Sequence, residues 1–360
     1  MDNSIIFLTD GLFRIGGTEK VVVQLYNEFL ERHYNIRLIV PGGKDLGVMS
    51  RNDIDMTSLN IGDFPKVNFL NKLYHRIRYF FKTLSLVKKN DVVFSFFFDL
   101  NVINIIVSLF KGGNVIVCEH IEYNYHSIYR RLLRVFLYKL PHIKVVCLTE
   151  RDTKKFESYG IDAITIQNFT ESKNISIIDR TESKRILAIG RLTEQKNFSF
   201  LIDAFNLSKL SELGWSLDIV GDGDEKQYLL DKIEKLNLNN NINILGFTKK
   251  IGDFYQKSDI FCMSSRYEAF PMVLIEAMSY GCPVISTDCP TGPAEILQSY
   301  QNTQLVTLGD VEGYAKKLSD LALNRELQVT VSHANYEDSK NFLPSVIMGK
   351  WTQLVNTMLE

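Results

Sequence analysis

The sequence has few cysteines, almost no net charge and no uninterrupted apolar run long enough to cross a membrane. Cys118, Cys147, Cys262, Cys282 and Cys289 are odd in number, lack C-x-x-C spacing and sit mostly in apolar, strand-like runs. That pattern fits reduced thiols in a cytoplasm rather than a disulfide framework. Lys plus Arg total 41 against 42 Asp plus Glu, and a net charge of -1 argues against a chain built to coat nucleic acid. The first residues, MDNSIIFLTDGLFRIGG, have no basic n-region and read as a first strand rather than a signal peptide. The apolar stretch from Val92 to Phe110 is interrupted by Asp99, Asn101 and Asn104, each costly in lipid, so it reads as a strand followed by a helix. No low-complexity tract or short repeat occurs, which drops collagen, coiled-coil and largely disordered classes.

What is present is an ordinary globular composition, 45% apolar and 23% charged, over 360 residues. At roughly 150 residues per domain that length suggests two domains, and two domains imply a cleft. Short Val/Ile/Leu/Phe-rich runs alternate with helical patterns: SIIFLTD, GTEKVVVQLYNEFLERH, IRLIVPG, DVVFSFF, NVIVCEH and KVVCLTE. The second half repeats the rhythm in RILAIGR, NFSFLIDAFNLSKL, SLDIVGDGD, NINILGF, DIFCMSS and PVISTDCP. Continuous rather than alternating apolar runs mark strands buried on both faces, hence parallel sheets covered by helices. The expected architecture is two doubly wound, Rossmann-like α/β domains, residues 1–169 and 185–345. A polar linker at 170–184 joins them, and a helix over 346–360 either closes the second domain or crosses back to the first.

Charge is unevenly spread: residues 1–170 hold 22 Lys/Arg against 17 Asp/Glu, and residues 171–360 hold 19 against 25. Between Lys66 and Lys144, 13 basic residues face four acidic ones. Segments 72–89 and 125–140 interleave those cations with Tyr, Phe and Leu. Each reads as an interfacial helix lying on an anionic bilayer, the alternative being a domain helix with a charged outer face, and the clustering of both in the N-terminal half favours the bilayer.

The run SSRYEAFPMVLIEAMSYG places Glu268 and Glu276 eight positions apart around a helix start near Phe270, with Pro271 suited to the first turn. The unpaired amides of such a start, near Phe270, Pro271, Met272 and Val273, form an anion site. Gly16 and Gly17 follow the first strand and let backbone approach a phosphate or sugar. His120 follows the strand NVIVCE, at the end where α/β sheets place ligands; His126 is a weaker candidate. Asp222-Gly223-Asp224 imitates a metal-binding Asp-x-Asp, but it follows a strand as a loop, so no metal is assigned. GDGDEK lacks a third glycine in register, which removes the dinucleotide fingerprint and with it a dehydrogenase.

The Glu268-to-Glu276 run resembles the Glu-x7-Glu motif of retaining, nucleotide-sugar-dependent glycosyltransferases of family 4, which have the two-domain GT-B fold with sheets facing across a cleft. GGTEK (16–20), ILAIGRLTEQKNFSFLIDAF (186–205), LDIVGDGDEKQYL (217–229) and ILGF (244–247) agree in order. The resemblance implies that Arg191 and Lys196 clamp the leaving diphosphate in place of a metal. It further implies that Glu268 contacts the sugar, Glu276 accepts from the ribose hydroxyls, Phe247 lies in the donor site and His120 holds donor sugar or acceptor. No cofactor is expected, since the nucleotide sugar is a substrate. CPTGPAEIL (289–297) resembles members that build bacterial surface polysaccharides. The expected activity is transfer of a hexose or N-acetylhexosamine, from a UDP-sugar, to a lipid-linked saccharide at the inner face of the cell membrane. The alternatives are a soluble acceptor or a non-catalytic sugar-nucleotide-binding protein.

Overall fold

The structure is a computed structural model that describes residues 4–10, 17–42, 55–62, 69–170, 183–248 and 250–359. Gly16 and most of the expected linker, residues 171–182, lie outside the described residues. The chain forms two units, residues 1–169 with 344–360, and residues 170–343.

The N-terminal unit begins with β1 (Ile5–Leu8), α1 (Gly17–Glu31), β2 (Ile36–Val40), β3 (Met56–Ser58) and α2 (Phe69–Leu86). It continues with β4 (Val92–Ser95), α3 (Phe98–Lys111), β5 (Asn114–Glu119) and α4 (Ile128–Leu137). Next come β6 (Ile143–Cys147), α5 (Glu150–Glu157) and β7 (Ala163–Thr165). The seven strands are all parallel, in the order β3-β2-β1-β4-β5-β6-β7. All four residues of β1 are buried because both faces are covered. Ile5 and Phe7 enter one core cluster with α1, while Ile6 and Leu8 enter another with α2 and α3. That two-sided burial is what the unbroken apolar run demanded.

In the C-terminal unit, β8 (Arg185–Ile189), α6 (Phe198–Leu207), β9 (Ser216–Val220), α7 (Lys226–Lys235) and β10 (Ile242–Ile244) come first. They are followed by α8 (Ile251–Lys257), β11 (Ile260–Met263), α9 (Met272–Ser279) and β12 (Val284–Asp288). Short α10 (Pro293–Ile296) and α11 (Gln301–Gln304) precede β13 (Leu305–Thr307), α12 (Val311–Leu323) and α13 (Arg325–Ser339). Six parallel strands run in the order β10-β9-β8-β11-β12-β13. In each sheet the strand order reverses beside the first strand, at β1/β4 and β8/β11, and loops at the carboxyl ends beside that reversal form the ligand crevice of doubly wound sheets.

The final helix, α14 (Pro344–Leu359), belongs to the N-terminal unit, so the break falls before Pro344 rather than after residue 345. Ile347, Met348, Trp351, Leu354 and Val355 are buried in the same cluster as Phe7 and Phe94, with the Trp351 and Phe94 rings 5.6 Å apart. Truncating a buried aromatic costs about 3–5 kcal/mol. Trp351→Ala is therefore expected to lower the unfolding free energy of the N-terminal unit by that order, read as a lower midpoint in urea titration. An unchanged midpoint would mean that α14 contributes little to that core.

Candidate active site

The chemical residues of the C-terminal unit cluster at the carboxyl ends of β8, β9 and β11. Their loops approach so closely that side chains are excluded at two positions. A Cβ on Gly221 would sit 1.8 Å from the Gly190 carbonyl oxygen, and one on Gly223 would sit 2.5 Å from the Leu192 oxygen. In return the backbones bond directly: the Gly190 amide donates to the Val220 carbonyl, the Leu192 amide to the Asp222 carbonyl and the Glu225 amide to the Leu192 carbonyl. A Cβ at Gly190 would lie 3.2 Å from Lys196 Cγ, so its absence leaves room for the lysine stem.

The loop after β8 is tied in turn to the loop after β11. Gln195 Nε2 donates to the Tyr267 carbonyl at 3.0 Å, the Arg266 amide donates to the Gln195 carbonyl at 2.8 Å, and Ser264 Oγ donates to the Lys196 carbonyl at 2.8 Å. These bonds bring Lys196 Nζ to 2.6 Å from Glu268 Oε1, both largely buried. Thr291 Oγ1 donates to the Glu268 carbonyl from the loop after β12. The sequence singled out Lys196 and Glu268 separately; their direct pairing is a finding of the structure. Arg191, on the same loop, is exposed, and among the described residues its side chain has no ion-pair partner.

Helix α9 starts at Met272, with Pro271 as its N-cap rather than in its first turn. Pro271 has φ -74 and ψ 96, outside helical geometry, so the start falls two residues later than Phe270. No side-chain cap bond covers this end, which leaves its first amides directed outward with the positive end of the helix dipole. Phe270 is buried and packs edge-on against Phe342, so only its backbone is available at the site. Met272, Val273 and Glu276 are half-buried. Gly292, at φ +97, passes so close that a Cβ there would lie 2.5 Å from Pro271 Cδ. Glu276 Oε2 accepts from the buried Tyr255 hydroxyl at 3.2 Å. Burial, reinforced by the Glu276 carboxylate, pushes the Tyr255 pKa well up, so this hydroxyl remains a donor. Phe247, just beyond β10, is 60% exposed.

Tyr255, Gln195 and Thr291 were not legible as site residues, because isolated tyrosine, glutamine and threonine carry no spacing signal. The TGP triplet at 291–293 was the available hint for the last. Asp222 is engaged locally, accepting from the Gly223 amide at 3.0 Å, and among the described residues no three potential metal ligands gather anywhere.

In the N-terminal unit His120 follows β5 directly. It lines a small cavity with Val21, Phe96, Cys118, Asn168 and Trp351, its ring 5.7 Å from that of Phe96. Burial lowers its pKa from 6.5 to about 4, so at neutral pH it is an uncharged donor and acceptor. Just behind it, buried Glu119 receives Arg134 Nε at 3.1 Å and the Tyr138 hydroxyl at 2.5 Å. Gly17 opens α1, and a Cβ there would meet nothing within 4 Å among the described residues. His126 is buried against Phe98, ring centroids 5.4 Å apart.

The amylovoran biosynthesis glycosyltransferase AmsD of Erwinia amylovora is 32% identical across 98% of this chain and 99% of its own length. The chain belongs to the group 1 glycosyl transferases. The family model itself, "Glycosyl transferases group 1", matches residues 170–338 of this glycosyltransferase, which include every C-terminal site residue named above. A Campylobacter jejuni relative is 27% identical over 94% of this chain and 95% of its own. It is described as a GalNAc-alpha-(1->4)-GalNAc-alpha-(1->3)-diNAcBac-PP-undecaprenol alpha-1,4-N-acetyl-D-galactosaminyltransferase. Among solved structures, TarM superposes with a TM-score of 0.83 at 14% identity over 99% of both chains. Anabaena HepE with UDP and glucose superposes at 0.78 and 17% identity, over 99% of this chain and 100% of that one. At such identities they establish the GT-B fold of the glycosyltransferase and nothing finer.

The His120 shift has a definite sign. A histidine whose pKa is lower in the folded than in the unfolded chain lends stability above its unfolded pKa, and that stability is lost as pH falls. For His120 the loss runs from pH 6.5 down through about 4. His120→Gln is expected to flatten this part of the melting-temperature profile relative to wild type. Parallel profiles for the two proteins across that window would show that the ring is not held neutral.

Proposed function

We propose that this chain is a retaining family 4 hexosyltransferase. In this reading it moves a hexose or N-acetylhexosamine from a UDP-sugar to a hydroxyl of a lipid-linked saccharide, in bacterial surface polysaccharide synthesis. The observation that carries the reading is the buried Lys196–Glu268 pair, held beside the uncapped start of α9 at the strand-order reversal of the C-terminal sheet. The relative from Campylobacter, whose name specifies an undecaprenol-linked saccharide, supports the acceptor class, and its alpha linkage is the retained outcome for an alpha-linked donor; AmsD, named for amylovoran biosynthesis, supports a biosynthetic role. Anabaena HepE, solved with UDP and glucose, supports a uridine nucleotide.

In the proposed reaction the bond between the anomeric carbon and the β-phosphate oxygen breaks, and its electron pair leaves with the diphosphate. The acceptor oxygen bonds to the same face of the sugar, and its proton passes to the departing phosphate. Charge therefore grows on the diphosphate in the transition state, where fixed cations and helix amides act most strongly. Lys196, Arg191 and the start of α9 meet that charge, so the scheme uses no metal or other cofactor. Glu268 orients Lys196 and receives sugar hydroxyls. Glu276, steadied by Tyr255, accepts from the ribose, and exposed Phe247 offers a ring face to the donor. In the N-terminal unit, neutral His120 holds sugar or acceptor, and Gly17 leaves room for a phosphate or sugar. In this reading the enzyme works at the cytoplasmic face of the cell membrane, where a nucleotide sugar and a lipid-linked acceptor meet.

Calorimetric titration with UDP, GDP and ADP in EDTA tests the donor assignment. UDP is expected to bind selectively, and Glu276→Ala to weaken it at least about tenfold through loss of a charge-assisted bond. Lys196→Ala is expected to lower turnover about 100-fold, in the range of a lost transition-state donor, with a smaller change in UDP affinity. Absence of binding to all three nucleotides, or unchanged kinetics in both variants, would remove this reading.

A further inference from the structure

Two helices of the N-terminal unit lie with their apolar sides outward. In α4, the positions Ile128, Tyr129, Leu132, Leu133 and Phe136 fall on one contiguous helical face, which an ordinary domain helix turns into the core. All five are exposed, Tyr129 by 82% and Phe136 by 70%. The side chain turned inward is Arg134, fully buried. It is fixed by Glu119, with Nη2 2.8 Å from Oε2, and lies over the Tyr123 and Phe156 rings at 5.3 and 4.9 Å. A buried guanidinium held this way cannot turn to solvent without leaving Glu119 uncompensated, so the outward orientation is built in.

Helix α2 repeats the arrangement by a different anchor. Tyr79 is buried and its hydroxyl donates to the Thr9 and Ile39 carbonyls, both at 3.2 Å. Leu70, Leu73, Tyr74, Ile77 and Phe81, spaced at helical repeats, form an exposed stripe. Both helices cover the same face of the sheet. Ile6 and Val93, register partners, pack with α2 and α3, while Val115, the partner of Val93 in β5, packs with α3, Tyr138 and α5. Exposed Leu109 and Phe110 end α3 within that layer, and Phe110 meets Phe80 of α2 at 5.9 Å. These three helices hold twelve of the twenty-four large apolar side chains exposed among the described residues.

The charges decide what covers this face. Neither α2 nor α4 contains Asp or Glu, whereas α2 carries Lys72, Arg76, Arg78 and Lys82 and α4 carries Arg130 and Arg131 besides Arg134. The acid facing them from α3, Asp99, is paired with Arg76 at 2.5 Å. A second copy meeting this surface about a two-fold axis would bring like charges together. Apolar side chains flanked by Lys72, Arg78, Lys82, Arg130 and Arg131, which have no ion-pair partner among the described residues, suit the headgroup boundary of an anionic bilayer.

We infer that the outer face of the α2–α3–α4 layer is a docking surface for an anionic lipid bilayer, with the α4 stripe inserted and pinned outward by Arg134. The inference rests on the reading of a lipid-linked acceptor. The test is flotation of the full chain with phosphatidylcholine vesicles, with and without phosphatidylglycerol, in low and high salt. Binding is expected only with the anionic lipid and weakened by salt. Leu132→Glu with Phe136→Glu, and separately Ile77→Glu, are expected to reduce it at least about tenfold, with UDP affinity and melting temperature unchanged. Failure of the wild-type chain to bind anionic vesicles, or binding that survives both variants, would overturn the inference, as would a solution dimer that the same variants dissociate. Vesicle binding without UDP binding would instead remove only the donor reading.

Discussion

The chemistry of the C-terminal unit depends on a distance of closest approach. With Gly221 backbone pressed to within what would be 1.8 Å of the Gly190 oxygen from a Cβ, the loops after β8 and β9 bond amide to carbonyl with nothing between them. That contact fixes where residues 190–196 run, and the hydrogen bonds of Gln195 and Ser264 then fix the loop after β11 relative to them. Lys196 and Glu268, 72 positions apart, meet at 2.6 Å as the outcome of those backbone contacts. The ion pair reports the loop geometry as much as it stabilises it, since a largely buried pair gains little once desolvation is counted.

This dependence explains what could be read in advance. The strands were legible because runs such as RILAI and IFCM have no polar side to hide, and parallel strands need none. Lys196, Glu268 and Glu276 were legible through the order of their surrounding segments. Pairing was not: contacts between separate loops leave no local period. Helix starts were also misplaced slightly, because Pro271 satisfies both an N-cap and a first-turn position, and only the backbone angles distinguish them. Strand β3, three residues reading MTS and only half-buried, has neither the length nor the apolarity that announces a strand.

Helix α4 marks a further limit of what sequence alone can say. Alternation of cations with Leu and Phe was visible in the sequence, yet which side faces inward was decided by one residue, Arg134, whose partner Glu119 lies 15 positions earlier on β5. Amphipathic pattern fixes two faces but not their direction. Because Glu119 immediately precedes His120, the buried pair connects the placement of the outer helix with the strand end that carries the histidine. The five buried thiols add nothing reactive to this: burial raises the pKa of Cys118 and Cys147, next to this network, well above the usual thiol value.

The return of α14 to the N-terminal unit has a consequence for how the chain is made. Domains fold as units during synthesis, N-terminal first, but here the first unit emerges without Ile347, Met348, Trp351, Leu354 and Val355 of its core. Helix α1 covers part of the β1/β4 face, but the part that α14 covers, Phe94 against Trp351 included, stays open until residues 170–343 and α14 itself have left the ribosome. The second unit, continuous in sequence, has its full core in hand earlier, so the order of completion on the ribosome is the reverse of the order of translation, and the nascent first unit is the part that chaperones would find open.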